Sequence, residues 1–110
     1  MPTLYKVLGQ SAPSATVATT LYTVPAATDS IVSSINVVNT HASTADTIRI
    51  AIRPAGASLT NQHYIVFGLS LAAGSTFTYT AGITIDTTDV ITVYSTTGTS
   101  SFSAFGSEIS

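Results

Sequence analysis

The heptapeptide TIRIAIR, residues 47–53, decides the fold class of this chain. Its three isoleucines alternate with polar or small residues, which is the period of two typical of a β-strand with one buried face. Pro54 and Gly56 follow directly and predict the end of the strand. A slip of register by one residue would bury Arg49 and Arg53, so we expect the register of this strand to be firmly set.

Seven further segments have strand character and are separated by turn residues, a rhythm typical of β-sandwiches and jelly rolls. They are residues 4–8, 18–24, 30–39, 62–69, 75–85, 90–95 and 101–109. We therefore predict an all-β fold: a single-domain antiparallel β-sandwich, jelly-roll-like, with about eight strands. The domain spans residues 1–110, with residues 1–16 as a candidate N-terminal arm.

Two of these segments have unusual patterns. Residues 62–69 are apolar on both faces, with Ile65, Phe67 and Leu69 predicted to share one of them. Such a strand is either central in its sheet or has one face on a partner subunit. Residues 75–85 place apolar side chains, Ala81 among them, at odd positions, and Gly82 predicts a bend or bulge in one long strand.

The composition combines 45% hydrophobic residues with only 7% charged ones, and about one-third of the chain is Ser or Thr. An average domain is about 25% charged. Little charge repulsion keeps copies of such a chain apart, so the composition favours a protein built into an assembly. Three basic residues are too few for nucleic-acid binding.

No apolar run approaches the ~20 residues that a membrane span requires. The first ten residues lack the apolar core of a secretory signal, so we expect a protein made in a cytoplasm and used without processing. The absence of Cys excludes disulfides and Cys-based metal sites.

No catalytic motif is present. His41 and His63 are the only histidines, and no G-x-S-x-G pattern occurs. Asp86 and Asp89 bracket a turn, where short carboxylates usually bond their own backbone. They could also supply two or three of the six to eight oxygens of a Ca²⁺ site, an alternative left open here. We predict no enzyme activity, no catalytic residue, no cofactor and no metal.

The candidate interface residues are the apolar, aromatic and basic side chains that a strand would present outward: Ile65, Phe67, Leu69, Arg49, Arg53 and Tyr5. Arg49 and Arg53 lie on one face of their strand. They either pair with an Asp or with Glu108 of a neighbouring subunit, or are solvated residues that protect a strand edge from aggregation. Tyrosine is enriched at interfaces, whereas the absence of Trp weakens carbohydrate stacking as an interpretation.

Several motifs together give the chain a family resemblance. They are the VPA turn at residues 24–26, Asn39 at a strand end, RIAIRPAG at 49–56, the HY pair at 63–64, TDVI at 88–91 and FGSEI at 105–109. Over about residues 20–110 the chain resembles small structural proteins of tailed bacteriophages, including phages of cyanobacteria and marine bacteria. The resemblance implies a virion component, and it carries over no active site.

The residues and the resemblance lead to one hypothesis with two alternatives. We expect a capsid decoration (cement) protein on the outer surface of a phage head, made in the host cytoplasm. Its partners would be the major capsid protein or other virion proteins, and it would form a homo-oligomer, most simply a trimer. The first alternative is a tail, baseplate or fibre component that contacts the host surface. The second is a glycan hydrolase.

Overall fold

The computed structural model describes residues 3–80 and 82–110, which form nine antiparallel strands in two packed sheets. This confirms the predicted β-sandwich. The strands are β1 (Thr3–Ser11), β2 (Thr19–Thr23), β3 (Asp29–Asn39), β4 (Asp46–Arg53), β5 (Tyr64–Leu71), β6 (Thr76–Tyr79), β7 (Ile83–Ile85), β8 (Val90–Ser95) and β9 (Ser100–Ile109). Two short 3₁₀ turns, Pro54–Gly56 and Asn61–His63, lie between β4 and β5.

The two sheets have the connectivity of a jelly roll. Sheet 1 has the order β1-β9-β3-β6, with β7 also paired to β3, and sheet 2 has the order β2-β8-β4-β5. When β6 and β7 are counted as one interrupted strand, eight strands divide equally between the sheets. The last strand, β9, therefore lies in the middle of sheet 1, between β1 and β3.

The core lies between the sheets and is built mainly of β-branched and aromatic residues. Ile48 and Ile50 of the opening heptapeptide are fully buried, and Ile52 is partly buried against the same core. The predicted alternation of this strand is thus confirmed. Full burial of an aliphatic or aromatic side chain of this size stabilises the fold by about 1.5–3 kcal/mol.

The predicted strand 75–85 is divided into β6 and β7. Strand β6 pairs with residues 35–38 of β3, and β7 pairs with residues 30–32. Gly82, at φ 63°, directly precedes β7. The expected bend is therefore a full interruption, which raises the strand count to nine. Ala81 lies outside the described residues.

The sandwich has two ends, which carry different loops. The upper end contains the end of β3 at Asn39, the start of β4 at Asp46 and the turn between β8 and β9. The lower end contains Asp29 at the start of β3 and Ile109 at the end of β9. Along one side, β1 lies against β2, while β5 forms the opposite edge of sheet 2.

Candidate functional site

A three-residue stack lies on the outer face of sheet 2. Arg49 of β4 is the register partner of Tyr94 on β8 and of Phe67 on β5. Its guanidinium carbon lies 4.4 Å from the centre of the Tyr94 ring and 4.5 Å from that of Phe67. The cation is therefore held between two aromatic rings, an arrangement stabilised by attraction to both ring faces.

The guanidinium of Arg49 makes no hydrogen bond and no ion pair with any residue that the structure describes, and its Nε is buried without a partner. Arg53 lies four residues further along β4, on the same face, and its donors are used within the protein. Its Nε donates to the Thr92 hydroxyl at 3.0 Å, and its Nη1 donates to the carbonyl of Ala57 at 3.1 Å. The two predicted arginines thus have separate roles: Arg53 braces the turn after β4, while Arg49 keeps its donors unused.

A recess adjoins the stack. It has a volume of about 380 Å³ and is lined by Asn61, Tyr64 and Phe67. The Tyr64 and Phe67 rings meet edge to face, with centres 4.8 Å apart. Phe67 is 61% exposed, which is unusual for a side chain of its size. Stack and recess together form a surface with one cation, three aromatic rings and one amide.

Two irregularities in β5 create this surface. The register between β4 and β5 shifts between Ile48 and Arg49 and again between Ile50 and Ala51. Each shift places an additional residue on β5, which reverses the face of the residues that follow. Gly68, at φ 70°, lies at the first of them, in a backbone conformation that a residue with a Cβ adopts only at a cost.

The predicted shared face of Ile65, Phe67 and Leu69 was therefore wrong. Leu69 and Ile65 pack against the core, whereas Phe67 points outward beside Arg49. A strict period of two could not show this, because the bulges change the period within the strand. The role of these residues in an interface stays a prediction.

A second exposed surface lies on β1, the edge strand of sheet 1. Tyr5 is 86% exposed, Leu4 57% and Val7 48%. Within the described residues, β1 pairs only with β9; its other edge forms no strand ladder, although β2 approaches it at Gly9. Ile31, in the same row as Tyr5 across β9, is also exposed. Tyr5, Val7 and Ile31 share one face of sheet 1, and we refer to them as the β1 patch; Leu4 lies on the opposite face, in the row of Glu108. Pro2, which belongs to the predicted arm, lies outside the described residues.

Behind the β1 patch, Glu108 is buried and bonded from two sides. Lys6 Nζ lies 3.0 Å from its Oε1, and the Tyr22 hydroxyl donates to its Oε2. The hydrogen bond from Tyr22 holds the pKa of Glu108 below its usual value, against the effect of burial and with help from Lys6. Burial and the same bond raise the pKa of Tyr22 to about 12. Glu108 is thus bonded within its own chain. The pairing of an arginine with an Asp or with Glu108 of a neighbouring subunit stays a prediction.

The upper end contains a second buried carboxylate that the sequence did not single out. Asp46 accepts hydrogen bonds from the Ser95 and Ser100 hydroxyls, both at 2.5 Å, and from the backbone N–H groups of Thr47 and Thr97. Burial alone would raise the pKa of Asp46, but these hydrogen bonds outweigh burial and lower it. The role of Asp46 is to join three strand ends.

The remaining acidic and imidazole groups serve the turns. Asp89 accepts from the backbone N–H of Ala55 at 2.8 Å and from that of Asp86 at 2.9 Å. Nδ1 of His41 accepts from two backbone N–H groups, and Nδ1 of His63 accepts from that of Thr60. Over residues 3–80 and 82–110, no three His, Asp or Glu side chains lie close enough to hold a metal ion.

Comparison of the chain with protein-family models, with curated proteins and with solved structures gives no match. In the described part of the chain, no helix has the length and apolar character needed to cross a membrane.

Proposed function

We propose that this protein is a structural component of a bacteriophage virion. Its most suitable role is that of a decoration protein, which binds the outer surface of the head and bridges neighbouring subunits of the major capsid protein. The single observation that carries this proposal is the β1 patch on an unpaired strand edge. The jelly-roll fold alone does not favour this role, because one fold serves many functions.

The β1 edge is well suited to a permanent partner. An exposed edge strand offers a row of backbone donors and acceptors to which a partner strand can add. Freely diffusing proteins usually protect such an edge with outward charges. Here the only charged residue on β1, Lys6, is bonded to Glu108, while Tyr5 and Val7 remain exposed.

The energetic contribution of one copy would be modest, and repetition would make it large. Burial of apolar surface contributes about 25 cal/mol per Å². Repeated over every copy on a shell, this contribution would oppose expansion under internal DNA pressure. A homo-oligomer, most simply a trimer, would multiply the contacts of each unit, and native mass spectrometry of the purified protein measures its size.

The first experiment is to count copies of the protein per purified phage particle, by quantitative mass spectrometry against the major capsid protein. Hundreds of copies in a simple ratio to the capsid protein would support head decoration. A few to a few dozen copies would overturn it and would indicate a neck, tail or fibre component.

A matched pair of variants tests the surface itself. Tyr5→Lys places a charge in the β1 patch, and Thr78→Lys places one on the exposed face of β6, at the other edge of the sheet. We expect both to retain wild-type stability within about 0.5 kcal/mol, because both positions are exposed. Only Tyr5→Lys should lose affinity for particles that lack the protein. Equal binding by both variants would remove the β1 patch from the proposal.

A second candidate function is contact with the host surface, as part of a tail, baseplate or fibre. The observation that favours it is the Arg49 stack, whose donors have no partner among the described residues. Saturable binding to host envelope polysaccharide, together with a low copy number, would place this candidate first.

A further inference from the structure

We infer that the Arg49 stack and the adjoining recess form a binding site for a carboxylate-bearing sugar, such as a hexuronate unit of an acidic polysaccharide. This site goes beyond the proposed decoration role. It lies on the outer face of sheet 2, near the edge opposite to β1, and does not depend on where the protein sits in a particle.

The site carries a positive charge that the residues described by the structure do not neutralise. The only ion pair among the described residues joins Lys6 to Glu108, so no carboxylate of the chain neutralises Arg49. A guanidinium offers five N–H donors in a planar fork that fits a carboxylate with two parallel hydrogen bonds. With both flat faces covered by Tyr94 and Phe67, and with Nε buried, an anion can bond only to the two Nη groups of Arg49.

The guanidinium of Arg49 is held in place before a ligand arrives. Cross-strand pairing fixes the two rings on either side of Arg49, and Tyr64 supports the Phe67 ring from its edge. Ligand binding would therefore cost little of the side-chain entropy that a free arginine loses on binding.

The surface beside the stack has the size and the chemistry of a small-ligand site. A recess of about 380 Å³ lies within the range of small-ligand sites, and it combines aromatic rings with the amide of Asn61. A sugar ring has C–H groups that pack on aromatic carbon and hydroxyls that bond to an amide. A sugar acid carries its carboxylate, C–H groups and hydroxyls on one rigid ring, whereas an acidic peptide would lose more conformational entropy on binding, so we favour the acidic sugar.

The test uses the purified, full chain and one pair of probes that differ only in charge. The probes are an oligomer of galacturonic acid and its fully methyl-esterified form, in which each carboxylate is blocked. We expect the acid to bind in isothermal titration calorimetry and the ester to bind at least about tenfold more weakly, since a bidentate charged pair is worth at least one decade of affinity. Equal binding of acid and ester, or no binding of the acid at millimolar concentration, would overturn the inference.

Variants then locate the site. Arg49→Met should weaken binding of the acid by at least about tenfold, and Arg49→Lys should also weaken it, because an ammonium cannot form the planar fork. Arg53→Gln is the control, since the donors of Arg53 are used within the protein; it should bind within about twofold of wild type. Unchanged binding by Arg49→Met would contradict the site.

A measurement on the wild-type chain keeps the test independent of variant folding. The Nη–H resonances of Arg49 should shift in the NMR spectrum as the acid is added, while those of Arg53 stay in place. A tri-glutamate peptide serves as the competing ligand. If it shifts the Arg49 resonances at equal or lower concentration than the sugar, the site recognises protein carboxylates and the sugar assignment is wrong.

Discussion

Asp46 shows how one buried charge can organise an end of this sandwich. Only 1% of its surface is exposed, yet both carboxylate oxygens are fully used. One oxygen accepts from backbone N–H groups of Thr47 and Thr97, and the other accepts from the hydroxyls of Ser95 and Ser100. Without these donors a buried carboxylate would be strongly destabilising, so the turn between β8 and β9 and the start of β4 depend on each other.

Replacement of this carboxylate should be costly. Asp46→Asn presents an amide N–H₂ to at least one donor, so buried donors lose their acceptor, and we expect a loss of about 2–4 kcal/mol of unfolding free energy. Chemical denaturation measures it. Asp86→Asn is the matched control: Asp86 is exposed and its acceptor oxygen is retained, so we expect a change within about 0.5 kcal/mol. Similar losses for both variants would show that burial of Asp46 is not the cause.

The pair formed by Tyr22 and Glu108 predicts how stability changes with pH. The pKa of Glu108 is lowered in the folded chain, so its contribution is present above the unfolded pKa of about 4.3 and is lost as acid protonates the folded carboxylate. The pKa of Tyr22 is raised from 10.0 to about 12, so its contribution is present below pH 10 and is lost as the pH rises toward 12.

Unfolding free energies measured from pH 2 to 12 check both limbs. Tyr22→Phe should flatten the loss between pH 10 and 12, and Glu108→Gln should flatten part of the loss below pH 4. An alkaline limb of unchanged size in Tyr22→Phe would contradict the assignment.

At the scale of single elements, the sequence predicted regular strands well and irregular ones poorly. Strand β4 follows its isoleucine alternation, because nothing interrupts its period. Strand β5 does not, since its bulges move Phe67 to the opposite face from Leu69. The Arg49 stack was missed for the same reason: Arg49 and Phe67 were each singled out, but their contact depends on a cross-strand register that the sequence does not specify.

Buried polar groups were also outside the reach of the sequence pattern. Neither Asp46 nor Glu108 was predicted to be buried. Their burial depends on hydroxyls and a tyrosine that lie far away along the chain. The low fraction of charged residues, in contrast, is visible from the composition alone.

Two glycines in strands should respond differently to alanine. A Cβ on Gly9 would lie 2.1 Å from the backbone carbonyl oxygen of Leu21, where β1 passes closest to β2. Gly9→Ala should therefore force the two strands apart and cost about 2–3 kcal/mol. A Cβ on Gly68 meets nothing within 4 Å, so Gly68→Ala should cost only the strain of its positive φ, about 1 kcal/mol. Thermal unfolding ranks the two, and a larger loss for Gly68→Ala would contradict the close approach.

At the scale of the whole molecule, the fold is dominated by pairings between distant parts of the chain. Strand β9 lies between β1 and β3 in sheet 1. Sheet 1 is therefore incomplete until the last ten residues of the fold have paired. Sheet 2 likewise needs β8 between β2 and β4.

Such a topology predicts slow folding. Loops must close over most of the chain before the central strands gain their contacts, so we expect refolding in milliseconds to seconds, as in other all-β domains. Stopped-flow refolding from denaturant, followed by tyrosine fluorescence, measures the rate. A microsecond phase that carries the full amplitude would contradict the prediction, since only local contacts form so quickly.

The pairing of Thr3 with Ile109 at the lower end gives the molecule a direction of mechanical weakness. Because β1 and β9 are antiparallel, a force that pulls these two residues apart loads one hydrogen bond at a time and peels β1 from the sheet. A force applied between Ser11 and Ile109 acts along the strands and loads all the β1–β9 bonds together in shear. A partner that grips β1 toward Ser11 would therefore obtain a strong link from the same ladder that yields easily when pulled from Thr3.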